Sequence, residues 1–204
     1  MHWPSKGVFK DYVDGFVNYV LSKLTIASNV FVIFDRYKEK SIKGNTRASR
    51  ASGLHQPKKH VIALTTPLPS RDVVLNVTHN KEQLIEMIAE ELLDRTQELL
   101  SPNNLIVTGK ADIPVEIRQG ERVERPDLRT DHEEANVIVP HQVVQFASNT
   151  KRSLKVISDD TDVFMLLAHF CQQCQLSASL VMEPASPERT SVNIGDIIQL
   201  ENIS

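Results

Sequence analysis

A short apolar run passes directly into three carboxylates in residues 154–162, which are Leu154-Lys155-Val156-Ile157-Ser158-Asp159-Asp160-Thr161-Asp162. The first five residues predict a β-strand, because β-branched side chains fit a pleated surface. A second run, Val30-Phe31-Val32-Ile33-Phe34, ends at Asp35. A short, continuous apolar run of this kind is typical of a strand buried on both faces in a parallel sheet. Two strands that end in acid are therefore predicted.

Helical patterns alternate with these strands along the chain. The predicted helices cover residues 8–24, 79–100, 133–146 and 163–174, with Pro140 expected to kink or restart the third. Further strands are predicted at 105–108 and 115–118, and an edge hairpin near the C-terminus at 180–182 and 191–194. This alternation predicts a three-layer α/β fold, with a mainly parallel sheet covered by helices on both faces. At 204 residues, one domain spanning 1–204 is expected.

The composition is that of an ordinary globular protein, and its charge is unevenly distributed. Hydrophobic residues make up 41% and charged residues 24% of the chain, and the formal net charge is −3. Residues 36–60, here called the basic segment, hold eight Lys or Arg and a single acid, Glu39. Such a segment is either a phosphate-binding footprint or a solvated loop.

Targeting and redox signals are absent from the sequence. No apolar run is long enough to span a membrane, and no secretory signal opens the chain, so an intracellular protein of the nucleus or cytoplasm is expected. Two cysteines do not make a disulfide framework, and Cys171 and Cys174 are interpreted as inert thiols. The scattered His132, His141 and His169 are interpreted as ordinary surface or hydrogen-bonded residues, although His132, the nearest to the acids, could modulate a site there.

Carboxylates recur at equivalent places in the predicted topology. Asp35 closes one strand, and a cluster of three aspartates follows another. A third set, Asp131, Glu133 and Glu134, opens the helix that leads to the second of these strands. Ligands of parallel α/β sheets bind outside the carboxyl ends of the strands, where gathered carboxylates repel one another unless a cation joins them. Oxygen ligands suit Mg²⁺ or Mn²⁺, which can assist phosphodiester cleavage.

A plainer interpretation of the same acids stays open. Asp159 or Asp160 would then cap the helix that follows, because aspartate is a preferred N-cap residue. Glu133 and Glu134 would interact favourably with the N-terminus of their own helix.

Three motifs are similar to those of one nuclease family. Val32-Ile33-Phe34-Asp35, followed by Arg47 and Arg50, resembles the second acidic motif of flap-endonuclease/XPG-type nucleases. His132-Glu133-Glu134-Ala135-Asn136 resembles their Glu-Ala-Glu or Glu-Ala-Asp motif, and residues 156–164 resemble their Ser-x-Asp-x-Asp motif. Over residues 30–200 the chain thus resembles the PIN-like nuclease domains of this superfamily, in particular the asteroid-like, mobile-element-associated subgroup.

The resemblance implies a PIN-like fold and a set of site residues. Asp35, Glu134, Asp160 and Asp162 would ligate Mg²⁺ or Mn²⁺, with Asp160 and Asp162 as the catalytic pair. Lys43, Arg47 and Arg50, in an arch-like basic segment, would steer the backbone of DNA or RNA presented as a flap, an end or a single strand.

The chain also departs from the family pattern. Asn136 stands where the family has a second acid, and neither the N-terminal acidic motif nor the C-terminal motif of the family has a counterpart, so a truncated copy is expected. The sequence therefore supports two hypotheses: a Mg²⁺- or Mn²⁺-dependent endo- or exonuclease, and a catalytically inactive PIN-like module that binds nucleic acid or protein.

Overall fold

The computed structural model describes residues 3–37, 60–150, 152–176, 178–186 and 188–201. Contacts divide the chain into two compact units, Met1–Glu133 and Glu134–Ser204, here called the first and second unit. The basic segment lies outside the described residues except for Arg36, Tyr37 and His60. The expectation of one PIN-like domain over 1–204 stays a prediction.

The first unit pairs helices with strands. Its elements are α1 (Phe9–Leu24), β1 (Asn29–Ile33), α2 (Arg71–Leu75), α3 (Thr78–Leu99), β2 (Asn104–Thr108), β3 (Val115–Arg118), β4 (Glu121–Glu124) and a 3-10 turn (Pro126–Leu128). Apolar residues recur every three or four positions in α1, so that Phe9, Val13, Val17, Val20 and Leu24 are all buried on one stripe. These side chains share one core with Leu105 and Val107 of the central strand β2, in which Ile106 and Thr108 are also buried.

The sheet of the first unit is mixed rather than mainly parallel. Its order is β1-β2-β3-β4, in which β1 and β2 are parallel and the other two pairs are antiparallel. Only residues 109–114 join β2 to β3, and a parallel crossover needs a dozen residues or more. A tight turn then joins β3 to β4 through Gln119 (φ 51°) and Gly120 (φ 81°). Two successive positive φ angles are characteristic of the type I′ hairpin turn.

The second unit carries its own sheet and core. Its elements are α4 (Ala135–Asn149), β5 (Leu154–Ile157), α5 (Thr161–Gln173), β6 (Leu180–Glu183), β7 (Val192–Asn193) and α6 (Ile194–Glu201). Strands β5 and β6 are parallel, and β7 is antiparallel to β6, so the predicted edge hairpin is confirmed. The core includes Val156, Leu167, Leu180 and Ile194. Eight residues, 184–191, join β6 to β7, again too few for a parallel crossover.

The α/β class predicted from the sequence is confirmed, and three details are corrected. One mainly parallel sheet was expected, whereas the described residues form two mixed sheets. The strand formed by the run Val30–Phe34 was expected to be buried on both faces. Only Val32 of β1 is buried, because β1 lies at the edge of its sheet. Pro140 lies inside α4 without ending it, so the expected restart is wrong, whereas the expected kink stays a prediction. In the described part of the chain no helix combines the length and the apolarity needed to cross a membrane.

Candidate functional site

Asp35 lies where β1 ends, at the carboxyl end of the parallel pair. The Phe34 amide donates to the Thr108 carbonyl oxygen (3.0 Å), so the β1–β2 ladder reaches the residue before Asp35. The Asp35 side chain is exposed, and the Tyr37 hydroxyl donates to its Oδ2 at 3.4 Å. This is the position at which α/β sheets hold their ligands.

The next residue, Arg36, is buried, with 2% of its surface exposed. Its Nε donates to the Gly109 carbonyl (3.0 Å), its Nη1 to the Thr130 carbonyl (2.6 Å), and its Nη2 to the Asp112 carbonyl (3.4 Å). Nη1 also lies 3.4 Å from Asp112 Oδ1. Burial lowers the pKa of the Arg36 guanidinium, and the nearby Asp112 carboxylate opposes this shift. The first cation of the basic segment is therefore enclosed and cannot contact a phosphate.

A backbone hydrogen bond joins two of the predicted acidic sets within the first unit. The Arg36 amide donates to the Glu133 carbonyl oxygen at 2.7 Å. The residue after Asp35 thus contacts the residue that precedes Glu134 in the chain. Asp131 is exposed in the same segment. The two sets were predicted separately from the sequence and are neighbours in the fold.

The aspartate cluster at the end of β5 belongs to the second unit. Asp160 is the N-cap residue of α5, and its Oδ1 accepts a hydrogen bond from the Asp162 amide at 2.8 Å. The Asp160 amide donates to Ser158 Oγ at 3.1 Å. The side chains of Asp160 and Asp162 are exposed. The capping interpretation is therefore confirmed for Asp160, and capping uses one of its two carboxylate oxygens.

Asp159 has a different role from its neighbour. Its carboxylate accepts hydrogen bonds from the Ser186 amide (3.3 Å) and hydroxyl (3.2 Å). Its carbonyl accepts one from Arg189 Nη1 at 3.3 Å. Asp159 therefore fastens the β6–β7 connection to the end of β5.

These contacts border a shallow pocket of about 120 Å³ in the second unit. Apolar side chains of Phe164, Met182 and Val192 contribute to its lining, together with Pro184. Its polar lining consists of Ser158, Asp159, Asp160, Thr161, Arg189 and Thr190. A cation, hydroxyls and carboxylates facing one small space can bind a phosphate together with a metal ion. The sequence had not pointed to Arg189, which carries no motif and lies in a connecting loop.

Glu134 and Asn136 open helix α4. Glu134 is the N-cap residue of α4. Short connections lead from α4 into β5 and from β5 into α5, so both helices begin at the carboxyl end of β5. Asn136 Oδ1 is buried and accepts no hydrogen bond within the described residues. A buried amide oxygen without a donor is costly, and water or a cation would satisfy it.

The predicted metal ligands are divided between the units: Asp35 lies in the first, and Glu134, Asp160 and Asp162 lie in the second. Among the described residues, no group of three or more His, Cys, Asp or Glu side chains is placed to hold a metal ion. Within the second unit, the exposed carboxylates of Asp160 and Asp162 are oxygen donors of the kind that Mg²⁺ takes, and Mg²⁺ usually binds only one or two protein carboxylates. Lys43, Arg47 and Arg50 lie outside the described residues.

Neither cysteine is suited to such chemistry, and the three histidines are at the surface. Cys171 is buried and Cys174 exposed, and neither is in a disulfide. Burial raises the pKa of the Cys171 thiol to about 11, which disfavours the thiolate needed for metal binding or redox chemistry. His132, His141 and His169 are exposed, as expected.

The class defined by these observations is an α/β protein with carboxylates at the ends of two parallel strand pairs. No protein-family model, curated protein or solved structure matches the chain.

Proposed function

We propose that this protein is a nuclease-like domain of the PIN-like, flap-endonuclease/XPG type that acts on nucleic acid with a divalent metal. The observation that carries the proposal is the recurrence of exposed carboxylates just beyond the strands: Asp35 lies two residues after β1 and Asp160 three residues after β5. Each of these strands belongs to a parallel pair, and the carboxyl end of such a pair is where α/β folds bind ligands. The three-layer PIN-like arrangement is part of the proposal.

The proposed ligands of Mg²⁺ or Mn²⁺ are Asp35, Glu134, Asp160 and Asp162. When bound, the metal would neutralise phosphate charge and make water a better nucleophile. The carboxylates of Asp160 and Asp162 would orient the attacking water beside the phosphodiester. Arg189, which lines the pocket next to Asp160, would bind a phosphate oxygen. Lys43, Arg47 and Arg50 would steer the backbone of DNA or RNA.

A second candidate is a catalytically inactive PIN-like module that binds nucleic acid or protein. Two observations favour it. The position of the family's second acid is filled by the neutral Asn136, and one oxygen of Asp160 is engaged as a helix cap. This module would bind nucleic acid through Lys43, Arg47 and Arg50, with affinity that falls as salt rises, and would not cleave it.

Measuring nucleic-acid cleavage by an Asp160→Asn variant distinguishes the helix-capping role of Asp160 from its proposed role in metal binding. Asparagine caps a helix about as well as aspartate, so the substitution keeps the hydrogen bond to Asp162 and removes only the charge. We expect the wild-type chain to cleave flap DNA, single-stranded DNA or RNA in Mn²⁺, and the variant to lose the activity at unchanged thermal stability.

Asp94→Asn is the matched control, because Asp94 is an exposed aspartate of α3 that pairs with Arg122 and does not line the pocket. The control should cleave within about threefold of the wild-type rate, since an exposed ion pair contributes little to stability. Salt-sensitive binding without cleavage would select the inactive module. A wild-type chain that neither binds Mn²⁺ nor contacts nucleic acid would refute the nuclease and the nucleic-acid-binding module.

A further inference from the structure

The pocket of the second unit combines apolar side chains with polar ones. Its apolar lining comes from Phe164, Met182, Pro184 and Val192. Met182 and Val192 are directly opposite one another in the antiparallel β6–β7 pair, so their side chains lie on the same face of the sheet. Three residues with hydroxyl groups also line the pocket: Ser158, Thr161 and Thr190. Small organic ligands bind in sites of this composition, where apolar surface is combined with a few polar groups that fix orientation.

Hydrogen bonds hold the segments that line the pocket in place. The Ser158 amide donates to the Glu183 carbonyl oxygen at 3.0 Å, which extends the β5–β6 ladder to the pocket. The Asp159 carboxylate accepts from the Ser186 amide and hydroxyl, and its carbonyl accepts from Arg189 Nη1. The β6–β7 connection is therefore tied to the end of β5 without a ligand. A pocket that is already formed loses less conformational freedom when a ligand binds.

The size of the pocket limits what it can hold. Its volume is about 120 Å³. An apolar cavity of about 150 Å³ holds one benzene molecule, so a space of this size accommodates one aromatic ring. The ring of a single unpaired nucleobase fits this volume. A base pair, in which two bases are joined edge to edge, does not.

Charge favours a neutral ring over a bare anion inside the pocket. Asp159 and Asp160 contribute two carboxylates to the lining, and Arg189 contributes one cation. In the absence of metal, the carboxylates would repel a phosphate placed between them, whereas a nucleobase is uncharged. Arg189 is exposed and uses Nη1 for the Asp159 carbonyl, so its other N–H groups can contact a phosphate beside the pocket.

We propose that this pocket binds one unpaired base of a single-stranded nucleic acid, with the base against Phe164 and a neighbouring phosphate on Arg189. The inference rests on the proposed function and deepens it, because it names a single strand rather than a duplex as the substrate class. Every base has a π face, so stacking on an aromatic side chain tolerates any sequence. The hydroxyl groups of the lining can donate or accept, and so they also accommodate every base.

The test is fluorescence anisotropy of labelled single-stranded DNA with the full chain, in EDTA and at low salt. One probe is a short thymidine oligonucleotide, and the other is the same strand with abasic sites in place of the bases. Both probes carry the same phosphates, so that only the base contact differs between them. We expect the wild type to bind the abasic strand about tenfold more weakly, which is a typical contribution of one stacked base.

Phe164→Leu removes the aromatic face and keeps an apolar side chain. It should weaken binding of the thymidine strand by about fivefold and leave the affinity for the abasic strand within about twofold. Phe170→Leu is the matched control, because Phe170 is a half-buried phenylalanine of the same helix that does not line the pocket. This control should keep the wild-type ratio of the two affinities.

Arg189→Gln tests the phosphate contact. Arg189 is exposed, so the variant is expected to fold, and it should weaken binding of both probes by the same factor. Circular dichroism establishes that each variant is folded. If Phe164→Leu does not fold, the ratio of the two affinities in the wild type decides.

The failure of this inference can be told apart from the failure of the proposed function. Equal affinity of the wild type for the two probes, or a folded Phe164→Leu variant with the wild-type ratio, overturns the inference alone. A wild type that binds neither probe in EDTA but cleaves nucleic acid in Mn²⁺ also overturns only the inference. A wild type that neither binds nor cleaves overturns both.

Discussion

At the scale of single residues, Asn136 shows how one amide can alter a site. Its Oδ1 is buried without a hydrogen-bond donor among the described residues, and the proposed relation to flap-endonuclease/XPG-type nucleases predicts an acid at this position. Asn136→Asp adds a negative charge at the same volume. If a cation binds nearby, we expect the Mn²⁺ dissociation constant to fall by about tenfold or more. A new charge–charge contact that contributes about 1.4 kcal/mol changes the affinity by that factor.

Calorimetry of wild type and Asn136→Asp measures this change directly. Gln173→Glu, an exposed amide-to-acid change at the end of helix α5 opposite the Asp160 cap, is the control and should leave the dissociation constant unchanged. An unchanged affinity in Asn136→Asp would show that this residue lies outside the metal site.

Residue roles were only partly predictable from the sequence. The acids at the strand ends could be found, because a strand that ends in aspartate is a local pattern. The burial of Arg36 could not, since its acceptors lie 73 to 94 residues away in the chain. From the sequence alone, its positive charge groups Arg36 with the other Lys and Arg residues of the basic segment. Asp159 and Asp160 are adjacent and similar in sequence, and only their partners distinguish a loop anchor from a helix cap.

At the scale of elements, the β3–β4 hairpin changes the sheet from parallel to mixed. Its turn needs a left-handed residue at Gly120 (φ 81°), and a Cβ there would lie 2.5 Å from Leu100 Cδ2. We expect Gly120→Ala to lower the free energy of unfolding by about 1–2 kcal/mol, the cost of the left-handed region for a residue with a Cβ.

Gly15 provides the matched control in helix α1, where an added Cβ meets no atom within 4 Å. Gly15→Ala should raise the free energy of unfolding by about 0.5–1 kcal/mol, because glycine is a poor helix former. Urea denaturation of both variants checks the pair. A stabilising Gly120→Ala would contradict the turn described here.

The sequence predicted the longer helices well and the sheet less well. Helix α3 was expected at 79–100 and lies at Thr78–Leu99, because its apolar stripe extends over six turns. Strand β4 was missed since Glu121, Arg122 and Glu124 are exposed and leave no apolar pattern. The alternation of strands and helices overestimates parallel pairing. The connection between β2 and β3, residues 109–114, is too short for a parallel crossover.

At the scale of the whole molecule, the proposed metal ligands come from both compact units, and the chain carries a net charge of −3. A ligand that binds only the folded chain stabilises it by mass action, by about 2.7 kcal/mol at a hundredfold excess over the dissociation constant. Metal binding should therefore be visible in thermal unfolding as well as in calorimetry.

The most direct test of the account is a Mn²⁺ titration of the wild type, Asp35→Asn and Asp160→Asn, each followed by calorimetry and thermal unfolding. We expect the wild type to bind and to be stabilised, and each variant to bind at least about tenfold more weakly, because each loses a charged ligand of the same ion. If the wild type does not bind, or if either variant keeps the wild-type affinity, these two aspartates do not hold a common metal.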